Sequence, residues 1–165
     1  MIVVEGSVFT PLSEQVAQCL GVPFVRARIQ HFPAHEWDVH LDQSVENQHV
    51  IIVHGMHTPN NRQPLSGHTK RFISIHDALM VSLLIGRIAQ QKGAATITFL
   101  CPFMPYSRQN QGGILCIRNM LLNVIIASGI DHIMTLDMHG PDTHLSTSLC
   151  NIHSTSLWQE HIQKR

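Results

Sequence analysis

The 165-residue chain predicts an α/β fold of three layers, a mostly parallel sheet with helices on both faces. Continuous apolar runs such as Val50-Ile51-Ile52-Val53 lack alternation, the mark of strands buried on both faces. Amphipathic segments of helical period separate these runs, as the crossovers of a parallel sheet require. A hydrophobic content of 44% against 13% charged residues is globular and supports one domain over residues 1–165.

Residues 2–4 read as a short apolar strand. Thr10 then caps a helix with Pro11 in its first position, and Gly21 stops it after Leu20. Residues 22–29 alternate like one strand, and 37–41 like another with Trp37, Val39 and Leu41 on one face. The buried strand 50–53 leads into a long polar stretch, 55–70, rich in Pro, Asn and Gly; such loops inside a domain are functional or disordered. A strong helix over 77–92 ends at Gly93, and 97–100 is the next buried strand. A helix over 114–127 stops at Ser128-Gly129, a strand covers 133–136, and a last strand at 149–152 precedes a helix from Thr155. The stripes Leu79-Met80-Leu83-Leu84-Arg87-Ile88 and Met120-Leu121-Val124-Ile125 have core spacing.

Eleven basic residues balance eleven acidic ones with no basic run, which argues against nucleic acid. The N-terminus has no basic region ahead of its apolar residues, and no apolar run approaches the roughly 18 residues that span a bilayer, so no membrane partner is expected. The four cysteines form no CxxC pair, and three lie in apolar segments; reduced, mostly buried thiols in a cytoplasmic protein are expected. Thirteen histidines make net charge climb as pH falls through about 6.5.

Pro105-Tyr106-Ser107-Arg108-Gln109-Asn110 follows the strand 97–100 and sets a guanidinium beside an amide at its carboxyl end. Ligands of open parallel sheets bind there, and the donor fork of Arg suits a phosphate. About 30 residues on, Thr135-Leu136-Asp137-Met138-His139-Gly140 adds a carboxylate and an imidazole at another strand end. With Asp142 and His144 these could bind Mg²⁺, Mn²⁺ or Zn²⁺. Mg²⁺ takes one or two protein ligands and leaves the rest to phosphates, which favours His139 on the ion and Asp137 in support. The groups His31, His35, His40 and His54, His57, His68 are weaker metal candidates, one on a strand with diverging faces and one around a loop.

These segments resemble ribose-phosphate pyrophosphokinase, also called phosphoribosyl pyrophosphate synthetase. Pro105-Tyr106-Ser107-Arg108-Gln109 is similar to its PY-x-RQ motif, and Thr135-Leu136-Asp137-Met138-His139 to its T-x-D-L-H motif. Ser128-Gly129-Ile130-Asp131 resembles the AGAD-type turn, Asp77-Ala78-Leu79-Met80 the D-N-L-M helix start, and Phe32-Pro33-Ala34-His35-Glu36 the F-S-D-G-E segment at its ends. The resemblance implies the first of two tandem phosphoribosyltransferase-like domains, in an enzyme moving pyrophosphate from Mg-ATP to C1 of ribose 5-phosphate. It implies that Arg108 and Gln109 contact ATP, that His139 helps hold Mg²⁺, and that Phe32 and Glu36 reach the adenine across a subunit contact. A homo-oligomer, or a complete or complementing synthetase subunit, is the partner it implies.

The chain also departs from that pattern. Ala34 stands where the family has Asp, His35 where it has Gly, and Asn110 where it has an acid. The charged loop that follows is shortened to Gln111-Gly112-Gly113. No paired acids before a Thr-Gly-rich turn are present to bind ribose 5-phosphate, and the second domain's catalytic Lys and Arg have no counterpart, so no catalytic residue is assigned. The leading expectation is an ATP-binding half, inactive alone. A non-catalytic relative that regulates or pairs with a synthetase is the alternative, and a small metal-dependent hydrolase built on residues 137–144 is the remote one.

Overall fold

The protein is described by a computed structural model over residues 1–6, 11–34, 36–55, 74–108, 117–139 and 148–163. Its elements run β1 (Ile2–Glu5), α1 (Pro11–Leu20), β2 (Phe24–Arg26), β3 (Arg28–His31), β4 (Trp37–His40), β5 (His49–Val53), α2 (Ile75–Gln91), β6 (Thr96–Leu100), α3 (Ile117–Ala127), β7 (His132–Leu136), β8 (Leu149–Ile152) and α4 (Thr155–Gln163). A six-stranded sheet has the order β2-β1-β5-β6-β7-β8, parallel throughout, and β3 and β4 form a separate antiparallel pair.

Alternate side chains of the unbroken apolar strands go to opposite faces. Val4, Ile52, Phe99 and Ile133 join Val81 and Ile85 of α2 and Leu121 and Ile125 of α3 in the main core. Val3 and Val53 pack on the other face with Ala17 of α1. The three expected layers are therefore present, with α1 on one face and α2 and α3 on the other.

Two local readings change. Residues 22–29 are not one strand: β2 pairs with β1 in the main sheet, and after Ala27 the chain turns into β3 to pair with β4. An alternating pattern fits either partner, so it hides the switch. The stripes on α2 and α3 are also only partly core, since Met80, Met120 and Val124 are 51%, 59% and 44% exposed. With Ile117 and Leu79 they line an apolar groove of about 370 Å³ between the helices. Of the cysteines described, Cys101 is buried, whereas Cys19 and Cys150 are exposed, against the expectation of mostly buried thiols.

Turn chemistry locks the frame. Ser74 and Asp77 form a reciprocal capping box at the start of α2, two residues ahead of the expected helix start. Gly129 has φ +96° and lies against the Gln90 side chain, so the turn before β7 takes no larger residue without strain. Asp131 then accepts the Ile97 backbone N–H at 2.8 Å, which fastens that turn to β6.

Candidate functional site

All six strands of the main sheet point their carboxyl ends to one edge, and the Arg108 and His139 segments emerge there. Backbone bonds keep the edge zipped past the strands: His54 N–H to Leu100 O at 2.8 Å, Cys101 N–H to Met134 O at 2.8 Å, and Leu136 N–H to Pro102 O at 3.2 Å. The turn over residues 105–108 follows. Tyr106 holds a left-handed φ of +58°, which non-glycine residues seldom adopt. Its hydroxyl shares a 2.5 Å hydrogen bond with His76 Nδ1 in the first turn of α2. Ser107 is buried, and Arg108 is left exposed at the end of this fixed turn. Among the described residues no acid pairs with Arg108. Gln109 lies outside the described residues, as do His35, Asn110, Asp142, His144, His57 and His68.

Asp137, directly after β7, is the second left-handed residue of this edge, with φ +45°. Strained backbone of this kind gathers at functional sites. Its Oδ1 accepts the Ser154 N–H at 3.0 Å, tying the end of β7 to the start of α4. Hydrogen bonding to Ser154 holds its carboxyl below the usual carboxylate range, so it is ionised at neutral pH. Met138 N–H donates to Asn151 Oδ1 at 3.0 Å, and His139 is exposed. Arg118, in the first turn of α3, donates from Nη1 to the His139 carbonyl at 3.3 Å. An ionised carboxylate and an exposed imidazole two residues apart fit a hydrated Mg²⁺ that takes few protein ligands. No group of three metal-ligating side chains is present among the described residues.

Phe32 and Glu36 sit at the tip of the β3–β4 hairpin, where the Phe32 N–H donates to the Glu36 carbonyl at 2.9 Å. Both side chains are exposed, Phe32 at 50%. The hairpin is moored to the same helix start as the Arg108 turn: Trp37 Nε1 donates to Asp77 Oδ1 at 3.2 Å, and His31 lies against the Trp37 ring. Asp77 is thus a structural acid, held ionised by its bonds to Ser74 and Trp37 although burial opposes it. The first turn of α2 therefore braces both halves of the expected nucleotide site. His40 pairs with Asp38, His35 of the same expected group lies outside the described residues, and His54 is fully buried against Ser82.

Sequence reasoning missed the brace and the burial of Arg118. Trp37 with Asp77 and Tyr106 with His76 are 40 and 30 residues apart, so no local pattern announces them. Arg118 is a polar residue in a first helical turn and reads as solvated; only tertiary packing makes it 3% exposed.

A family profile described as the N-terminal domain of ribose phosphate pyrophosphokinase matches residues 1–114. The chain is 25% identical to ribose-phosphate pyrophosphokinase B of Dictyostelium discoideum, covering all of this chain and 47% of that protein. It is 24% identical to the ribose-phosphate pyrophosphokinase of Campylobacter jejuni, over 97% of this chain and 48% of that one. Its fold matches the crystal structure of phosphoribosylpyrophosphate synthetase from Mycobacterium smegmatis with a TM-score of 0.79 at 20% identity, over 99% of this chain and 52% of that one. The chain thus spans about half the length of the curated relatives it matches. No described helix is long and apolar enough to cross a membrane.

Proposed function

The chain belongs to the family of the N-terminal domain of ribose phosphate pyrophosphokinase, and we propose that it is the ATP-binding half of such an enzyme. The observation that carries this reading is the exposed Arg108 at the carboxyl edge, on a turn pinned through Tyr106 to α2. A guanidinium with no acid partner among the described residues, on a fixed turn, is suited to a triphosphate, which it would bind through two donors at once. Gln109 would add an amide contact. Asp137 and His139 would hold Mg²⁺, which neutralises phosphate charge when bound. Phe32 would offer a ring to the adenine and Glu36 an acceptor. Their exposed hairpin tip suits a site completed by a second copy of the chain or by a synthetase subunit.

In the complete reaction the anomeric oxygen of ribose 5-phosphate displaces AMP from the β-phosphorus in line, forming an O–P bond as the bridging bond to the α-phosphate breaks. Catalysis of this kind rests on positioning and charge stabilisation. These 165 residues contain no ribose 5-phosphate site recognisable in sequence, so they are expected to be inactive by themselves and to act, in the cytoplasm, with a complementing domain.

Calorimetric titration with ATP, with and without Mg²⁺, tests the reading. Mg-dependent binding in the wild type, weakened at least about tenfold in Arg108→Ala, is the expected result. ATP bound equally well by the variant would remove Arg108 from the site. Production of AMP and phosphoribosyl pyrophosphate by the pure chain would overturn the expectation of inactivity.

Ala34, Asn110 and the trimmed 111–113 loop favour a second reading, a non-catalytic relative that keeps the fold and regulates or pairs with a synthetase. Nucleotide binding by the chain without turnover, together with its co-purification with a full-length synthetase, would select it.

A further inference from the structure

Three hydrogen bonds fasten the end of β8 to the two residues that follow β7. Asp137 N–H donates to the Ile152 carbonyl at 2.9 Å, and Ser154 N–H donates to Asp137 Oδ1 at 3.0 Å. Met138 N–H donates to Asn151 Oδ1 at 3.0 Å. His153 thus stands between two backbone anchors, and both are made to Asp137. The left-handed φ of Asp137, +45°, is a conformation that such surroundings must hold in place.

This clasp sets the His153 ring beside the Asp137 carboxylate. Nδ1 lies 4.0 Å from Oδ1, and both side chains are about half exposed. A direct hydrogen bond closes at about 2.7–3.2 Å, so the pair does not form one. Neighbouring ligands of one first-row divalent ion stand about 3.0–3.5 Å apart at bond lengths near 2.1 Å, so two exposed side chains would need to close by at most about 1 Å. Oδ1 accepts one bond from Ser154 and has a second lone pair for an ion. Its bonds to Ser154 keep the carboxyl ionised at neutral pH. No third metal-ligating side chain joins the pair among the described residues, which makes this an open position, unlike a four-ligand structural centre.

We propose that Asp137 and His153 form a carboxylate–imidazole pair that binds a borderline divalent ion of the Co²⁺, Ni²⁺ or Zn²⁺ class, with water or ligand oxygens completing its coordination. Oxygen ligands suit Mg²⁺, whereas an imidazole turns a site toward these softer ions. The inference rests on the reading above in one respect, since Asp137 is the carboxylate given there to Mg²⁺. It adds a residue and a metal preference to that position, and its test needs no nucleotide.

The experiment is calorimetric titration of the nucleotide-free chain with Co²⁺, at a mildly alkaline pH that keeps the imidazole neutral for ligation. Wild type should bind Co²⁺ at least about tenfold more tightly than His153→Ala, while the same substitution leaves Mg²⁺ affinity within about twofold. The chain has thirteen histidines, so ¹H–¹⁵N spectra must place the ion: paramagnetic broadening should centre on residue 137 and residues 151–154. Arg108→Ala should leave Co²⁺ binding intact, which separates failure of the nucleotide reading from failure of this one. Equal Co²⁺ affinity in wild type and His153→Ala, or broadening centred on other histidines, would mean an adventitious ion only and overturns the proposal. Absence of Co²⁺ binding by the wild type overturns it too, as does a Mg²⁺ affinity that falls in step with that for Co²⁺.

Discussion

Glu5, Gly6 and His54 close β1 and β5, while Arg108, Asp137 and Arg118 gather where β6 and β7 end; one sheet edge carries both groups, and their chemistry is opposite. Strand order reverses between β1 and β5, the place where open sheets usually seat ligands. There the chain packs against itself. A Cβ on Gly6 would lie 2.6 Å from the Val53 carbonyl, and His54 is fully buried against Ser82. Burial drives both ionisable groups toward neutrality: the Glu5 carboxyl is pushed up to about 7 and the His54 imidazole down to about 3. At β6 and β7 the groups keep their charge: Arg108 is exposed, Asp137 is held ionised, and Arg118 is buried yet cationic. Charge retained against burial or strain is what the proposed nucleotide half of the edge would require.

The division predicts that variants of the first group change stability and variants of the second change binding. The largest effect is expected at His54. The unfolded chain takes up a proton near 6.5 and the folded chain only near 3, so stability present above pH 6.5 is lost as pH falls toward 3. The full loss is on the order of 5 kcal/mol. His54→Asn keeps a polar atom for Ser82 and should flatten the acid limb of stability measured by urea unfolding. An acid limb as steep as the wild type's would mean that His54 is not sealed.

Glu5 should act with the opposite sign and less strongly. Its folded pKa of about 7 lies above the ordinary 4.5, so its stabilising share is full below pH 4.5 and fades as pH rises through 7. That value already contains the opposing pull of Arg26, 3.4 Å away, and solvent screening at this partly covered site leaves a loss of roughly 1–2 kcal/mol. The stability of Glu5→Gln relative to wild type should therefore grow from pH 5 to pH 8. A constant difference would place an ionised Glu5 in the fold at both pH values.

The sealed half was also the more legible in sequence. Val50-Ile51-Ile52-Val53 identifies β5 as a strand buried on both faces because burial on both sides demands apolar residues at every position. Pro11 and Gly21 bracket α1 because local φ preference alone decides those positions. What the sequence hides is pairing across distance. The break at Ala27 exchanges one strand partner for another without altering the alternation. Met80 and Met120 obey helical spacing, yet spacing does not tell how much of a helix face a neighbour covers. The motif around Arg108 gave away the open half, but the mooring of its turn to His76 and the burial of Arg118 are tertiary facts.

Asp137 offers the finest division between the two groups, because it touches both the scaffold and the expected metal. Asp137→Asn keeps an oxygen that can accept the Ser154 N–H, and asparagine tolerates the left-handed φ of +45° as well as aspartate does. The aspartate's pKa lies below 3.8, so its share of stability is present above that value and lost only as pH falls beneath it. Thermal unfolding of the variant should therefore match the wild type throughout pH 5–8, the smallest change expected of any substitution on this edge. Calorimetry should tell a different story. Removing one negative charge beside His139 should weaken Mg-dependent ATP binding about tenfold while leaving metal-free binding no weaker. A large fall in Tm with unchanged Mg²⁺ dependence would put Asp137 with Glu5 and His54, as part of the frame, and would leave His139 to hold the ion without it.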